Sequence, residues 1–301
     1  MRFDAYLMVD WSASSTPKRG RDSIWWALAA WTKRGLRLER AENPPTRSEA
    51  LQSIAARLAQ AVADGASVLV GFDFALGYPE GTAAALGLEG EPWRALWNEW
   101  SRLVTDTPDN GNNRFEVAST LNARISGGAG PFWGHPRGYA SANLGATRSF
   151  AYPVRGLAEK RLADARTPRA QPVWKLCGIG SVGSQTLLGI PRLRQLLEDS
   201  RLAEHISVWP FETGFALPSR SSPRGRLILA EVYPSLLTVP SIEGFVKDQL
   251  QVEALARHFA ALDADGRLAE LFNPLLKLEP ARLAAILEEE GWILGITRAG
   301  S

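Results

Sequence analysis

Tyr6–Ser14 reads YLMVDWSAS: an apolar and aromatic run enters a carboxylate, Asp10, and the small hydroxyl residues Ser12, Ser14 and Ser15 follow at once. An apolar run this short, bounded by turn formers, predicts a buried strand. Asp10 falls near its carboxyl end, where open α/β sheets place their ligands. The same pattern recurs in Val68–Pro79, VLVGFDFALGYP, which delivers Asp73, and in Arg226–Pro234, RLILAEVYP, which delivers Glu231. Three buried strands, each carrying one acid to the same edge, predict a site for a divalent cation.

The elements around Asp10 set the topology. Ser23–Thr32 and the alternating Gly35–Arg40 read as strands, joined at Lys33-Arg34-Gly35 by a hairpin turn, so the first three strands form an antiparallel meander. Thr46 and Glu49 make a capping-box pattern before a helix over 47–64, whose apolar face is Leu51, Ile54, Ala55, Leu58 and Val62, and Gly65 ends it. A strand–helix–strand return places the Asp73 strand parallel to the Asp10 strand by a right-handed crossover, about 5 Å away.

The middle of the chain breaks this rhythm. Helices are expected at Pro92–Thr105, Arg114–Ile125 and from about Pro191 to Asp199, with the Gly- and aromatic-rich loop Ser126–Tyr139 and a basic cluster from Arg148 to Arg169 between them. A short strand is expected at His205–Phe211, ending near Glu212, and a late helix starts near Lys247-Asp248-Gln249. The expected fold class is α/β: a mixed sheet of three antiparallel then parallel strands, flanked by helices, with a large, mainly helical insertion. Residues 1–80 and 201–301 make a discontinuous core, and 81–200 an insertion or lid that does not fold independently.

Composition narrows the function. The chain has 301 residues, enough for a large core, and a net charge of +2, too small by itself to argue for nucleic acid. Its single cysteine, Cys177, excludes an internal disulfide framework and fits a reducing compartment, hence a cytoplasmic location. No run is long and apolar enough for a membrane span, so no membrane partner is expected. His135, His205 and His258 share no ligand spacing.

Mg²⁺ and Mn²⁺ favour oxygen ligands, and such ions activate water and stabilise the leaving oxygen of a phosphodiester. The candidate ligands and catalytic groups are Asp10, Asp73, Glu231 and Asp248, with Glu49 and Glu212 in reserve. Asp248 also reads as a helix N-cap, and Glu49 as the capping-box partner. Candidate substrate contacts are Ser12, Arg148, and Lys175 with Ser181 from the Gly-rich stretch at Gly178–Gln185, GIGSVGSQ. That stretch is neither a dinucleotide fingerprint nor a P-loop, and a tight structural turn explains it as well.

VDWSAS, GFDFALGYP, LAEVYPS and KDQLQVEAL resemble an uncharacterised bacterial family of predicted RNase H-like nucleases (domain of unknown function 429). The resemblance implies an RNase H-like sheet, with Asp10 and Asp73 as its strand carboxylates and Asp248 as the acid of the late helix. Glu49 matches the first-helix acid by position only, and Glu231 lies on an additional strand. It implies metal-dependent cleavage of nucleic acid, DNA or RNA. Two other readings stay open. One is a nucleotide-dependent phosphotransferase or ATPase of the actin and sugar-kinase type, with DWSASS and GIGSVGS as phosphate loops. The other is a non-catalytic binding module that keeps the fold.

Overall fold

The computed structural model describes residues 3–217, 226–274 and 277–297. Its strands are β1 (Ala5–Asp10), β2 (Trp25–Thr32), β3 (Gly35–Leu38), β4 (Val68–Phe72), β5 (Ile206–Val208) and β6 (Leu227–Glu231). Its helices are α1 (Arg47–Ala63), α2 (Thr82–Ala85), α3 (Pro92–Leu103), α4 (Arg114–Ser126), α5 (Leu162–Ala165), α6 (Val182–Glu198), α7 (Lys247–Ala264), α8 (Leu268–Phe272) and α9 (Pro280–Ala285). The sheet order is β3-β2-β1-β4-β6-β5; β1, β2 and β3 pair antiparallel, and β1, β4, β6 and β5 run parallel.

The parallel strands are apolar on both sides because both faces are covered. Leu7 and Val9 of β1 and Val70 and Phe72 of β4 pack with α1, α3, α4 and α6. Tyr6 and Met8, with Leu69, turn to the opposite face, where α7 contributes Val252, Leu255 and Phe259. Each such fully buried side chain stabilises the fold by roughly 1.5–3 kcal/mol. The block 81–200 lies over the sheet itself: Trp93, Trp97, Leu121, Phe132, Trp174 and Leu193 share one apolar cluster with β1 and β4.

Two expectations for this block change. The last helix begins at Val182, nine residues before Pro191, which it carries internally. The Gly-rich stretch is therefore the lead-in to a helix. Gly183 and Gly189 let α6 sit tightly, since a Cβ at 183 would lie 2.2 Å from the Val173 carbonyl oxygen and one at 189 would lie 2.3 Å from the Phe74 ring. The basic cluster is also dispersed. Arg161 is buried in an ion pair, Arg148 pairs with Glu159 on the surface at 2.6 Å, and Arg169 faces a cavity. No helix among the described residues is long and apolar enough to cross a membrane.

Candidate functional site

Parallel register carries the acids together. Val9 is level with Phe72, so Asp10 and Asp73 are the next residues out on adjacent strands. Asp10 has the parity of Tyr6 and Met8 and turns toward α7. Trp11 N–H donates to Asp73 Oδ1 at 2.7 Å, so the backbone leaving β1 orients the carboxyl that follows β4. The two carboxyls lie side by side and each acts on the other's titration. Burial, then repulsion from Asp73 and from Asp248, holds Asp10 well above the usual carboxylate range. Burial pushes Asp73 up to about 7, against the pull of the Trp11 N–H.

Asp248 lies in the first turn of α7, one residue beyond its start, and does not cap it; Val246 holds the cap position. Its carboxylate instead accepts the Asp22 N–H at 2.7 Å, and burial raises it as well. Asp22 takes a left-handed backbone (φ 52°), which Asp tolerates better than most residues. Its own charge adds to the field on Asp10 and Asp248.

Glu231 departs from the expected ligand set. It is level with Phe72, one step back from Asp73, and shares the parity of Leu227 and Leu229, which face the α1–α6 side. There Arg161 grips it with two bonds of 2.7 Å and also holds Asp164 at 2.7 and 2.9 Å. Its charge is already matched, so Glu231 is a wall of the site. The reserves lie elsewhere. The Glu49 N–H donates to Thr46 Oγ at 3.2 Å in the cap of α1, and Glu212 pairs with Arg94 at 3.0 Å.

Two chambers meet at Asp10, with Gln185 and Gln251 in both linings. The outer one, about 630 Å³, lies between the 11–14 loop and the 176–181 loop and includes Asp22, Arg114 and Asp248. The inner one, about 240 Å³, includes Asp73, Arg161, Arg169 and Lys247. Ser12 and Ser181 line the outer chamber. Lys175 lines neither; its Nζ donates to the Ile179 carbonyl at 2.6 Å and braces the loop from behind. Arg148 lines neither chamber, so the structure does not bring it to the acids.

Arg114 is the residue that sequence reading missed. It donates to Ser15 Oγ and Ser184 Oγ at 3.0 Å and to Asn112 Oδ1 at 2.7 Å, and among the described residues no carboxylate bonds it. Burial, followed by repulsion from Arg47, lowers it to about 10. Gln185 Nε2 donates to the Trp11 carbonyl at 2.6 Å, tying α6 to the exit of β1. The N–H groups of Val182, Gly183 and Ser184 at the α6 start are spent on the Gly180, Lys175 and Ser181 carbonyls, so that end of the helix adds its dipole alone on the Arg114 side.

Among the described residues, no group of three or more Asp, Glu, His or Cys side chains closes around a metal position. Mg²⁺ is commonly held by one or two carboxylates plus waters and substrate phosphates, without a full protein cage. The Asp10–Asp73 pair, two adjacent acids with no cation bonded to them among the described residues, fits that donor set. No family model matches the chain, and neither the curated proteins nor the solved structures contain a match to it.

Proposed function

We propose that the protein hydrolyses phosphodiester bonds in nucleic acid with the help of Mg²⁺ or Mn²⁺ held by Asp10 and Asp73, with Asp248 facing them. One observation carries this reading. An acid pair with no counter-cation and an arginine with no counter-anion among the described residues line two chambers that meet at Asp10. A phosphodiester bound with a cation supplies both missing charges. When bound, the ion acts as a Lewis acid on the phosphoryl group and favours ionised water.

The chain's own residues do the rest. Arg114 holds phosphate oxygens and stabilises the extra negative charge of the transition state. Asp248, oriented by the Asp22 N–H, is the proposed acceptor of a proton from attacking water. Ser12, whose Oγ contacts the Asp22 carbonyl at 3.3 Å, steadies the turn between them. The strand order and the three-strand meander support an RNase H-like assignment, as do the resemblances of VDWSAS, GFDFALGYP and LAEVYPS. We take the family of predicted RNase H-like nucleases as the source of analogy and argue the chemistry from the site itself.

The test is Mn²⁺-dependent cleavage of DNA and RNA by the parent and by folded Asp10→Asn and Asp73→Asn proteins, with Mn²⁺ binding followed by calorimetry. Loss of both cleavage and ion binding in the variants supports the proposal. Cleavage by both variants at the parent rate rejects it. A second reading is favoured by the facing 11–14 and 176–181 loops, which also suit the phosphates of a nucleotide. Saturable ATP binding without nucleic-acid binding would select that phosphotransferase or ATPase reading.

A further inference from the structure

The inner chamber has features that phosphate chemistry at Asp10 does not use. Gln251, one turn into α7, is 8% exposed, and among the described residues its side-chain amide has no hydrogen-bond partner. Its amide atoms are not among the buried unpaired polar atoms, so they open onto the chamber and are available to a ligand. Gln185 spends its N–H on Trp11 and keeps its carbonyl oxygen for another donor. Both amides lie where the two chambers join, beside Asp10. Arg169 and Lys247 line the inner chamber with no ion-pair partner among the described residues. Arg169 is held there in a left-handed backbone (φ 66°), an uncommon conformation for a long side chain. Tyr233 supplies an aromatic face.

We infer that the inner chamber binds one unpaired nucleotide next to the phosphate held at Asp10, and that the substrate is therefore single-stranded nucleic acid or a frayed end. This rests on the phosphodiester reading above. The amides match the donors and acceptors on a base edge or sugar hydroxyl. Arg169 and Lys247 match a phosphate, and Tyr233 the face of a base. At about 240 Å³ the chamber is smaller than most small-ligand pockets, which favours a single nucleotide over a base pair. A base inside a duplex would have to leave its stack to enter.

The experiment measures fluorescence anisotropy of a labelled single-stranded 12-mer, and of the same strand annealed to its complement, in EDTA so that binding is separate from cleavage. The variants are Gln251→Leu, which removes the amide at similar volume, the double variant Arg169→Ala with Lys247→Ala, and Arg57→Ala as a surface control. Thermal melts check folding, and competition by nucleoside monophosphates on the parent gives a readout free of any variant. The parent is expected to bind the single strand at least tenfold tighter than the duplex. Gln251→Leu and the double variant should erase most of that ratio, Arg57→Ala should keep it, and monophosphates should displace the single strand. Equal affinity for both forms, an unchanged ratio in folded Gln251→Leu, or no binding to either form overturns the inference. Gln251-dependent binding without Mn²⁺-dependent cleavage removes the hydrolytic reading and leaves the chamber assigned. Cleavage of duplex and single strand at one rate by parent and Gln251→Leu does the reverse.

Discussion

Glu231 at the end of β6 and Asp73 just beyond β4 are neighbours in the sheet, the first buried and the second half-buried. Glu231 meets a bidentate arginine, and a second acid, Asp164, completes that arginine's coordination. Asp73 meets a backbone N–H and another acid. Burial pushes both carboxyls up, but only Glu231 has a cation pulling it back. Burial of an acid thus says little about its role. The nature of its partner separates a structural ion pair from a vacancy in charge that a ligand can fill.

The largest expected effect tests the matched side. Arg161→Met should destabilise the fold by about 3–5 kcal/mol, measured by the urea midpoint, because it strands Glu231 and Asp164 without a counter-charge. Asp73→Asn should leave the metal-free protein at pH 8 as stable as the parent or more so. Equal losses from the two substitutions would erase the contrast.

Next in size is pH dependence. Asp73 titrates at about 7 in the folded chain against an ordinary value of 3.8, so between those values the folded state binds more protons than the unfolded state. Its contribution to stability is complete below about pH 4 and is lost as pH rises through 7, a change on the order of 2–4 kcal/mol. The difference between the parent and Asp73→Asn stability curves, taken across that range without metal, should show this slope. A flat difference would mean that the acid pair is not strained. Mn²⁺ at a hundredfold excess over its dissociation constant should then stabilise the parent by about 2.7 kcal/mol, and Asp10→Asn hardly at all. Equal shifts in melting temperature would move the ion elsewhere.

Smaller effects concern the frame. Gly183→Ala pushes a methyl against the Val173 carbonyl and should cost about 1–3 kcal/mol, with a matching drop in cleavage as the α6 start shifts from Arg114. Glu49→Gln should change stability by about 0.5 kcal/mol or less and leave cleavage intact, since Gln serves the cap as well as Glu.

Much of the sheet was legible because its signal is local. The runs ending in Asp10, Asp73 and Glu231 are strands β1, β4 and β6, and the Thr46–Glu49 cap is where the pattern put it. What escaped depends on distant pairing. Nothing near Glu231 announces Arg161, which lies 70 residues away in the chain. Strand parity, counted back from Leu227 and Leu229, was the available clue that Glu231 turns away from Asp10 and Asp73. Arg114 was hidden because a helix-start arginine normally reads as solvated, and its burial follows from contacts with Ser15 and Ser184. The first turns of α6 were misread because glycine at Gly180 and Gly183 resembles loop chemistry.

Glu290 accepts N–H bonds from Glu80 at 3.1 Å and Leu162 at 2.9 Å, while its own carbonyl takes Arg161 at 3.0 Å. A segment near the carboxyl end therefore clasps the turn after β4 and the arginine that neutralises Glu231. One glutamate thus ties a wall of the cleft to the turn beneath it, and a substitution at Glu290 would loosen both at once.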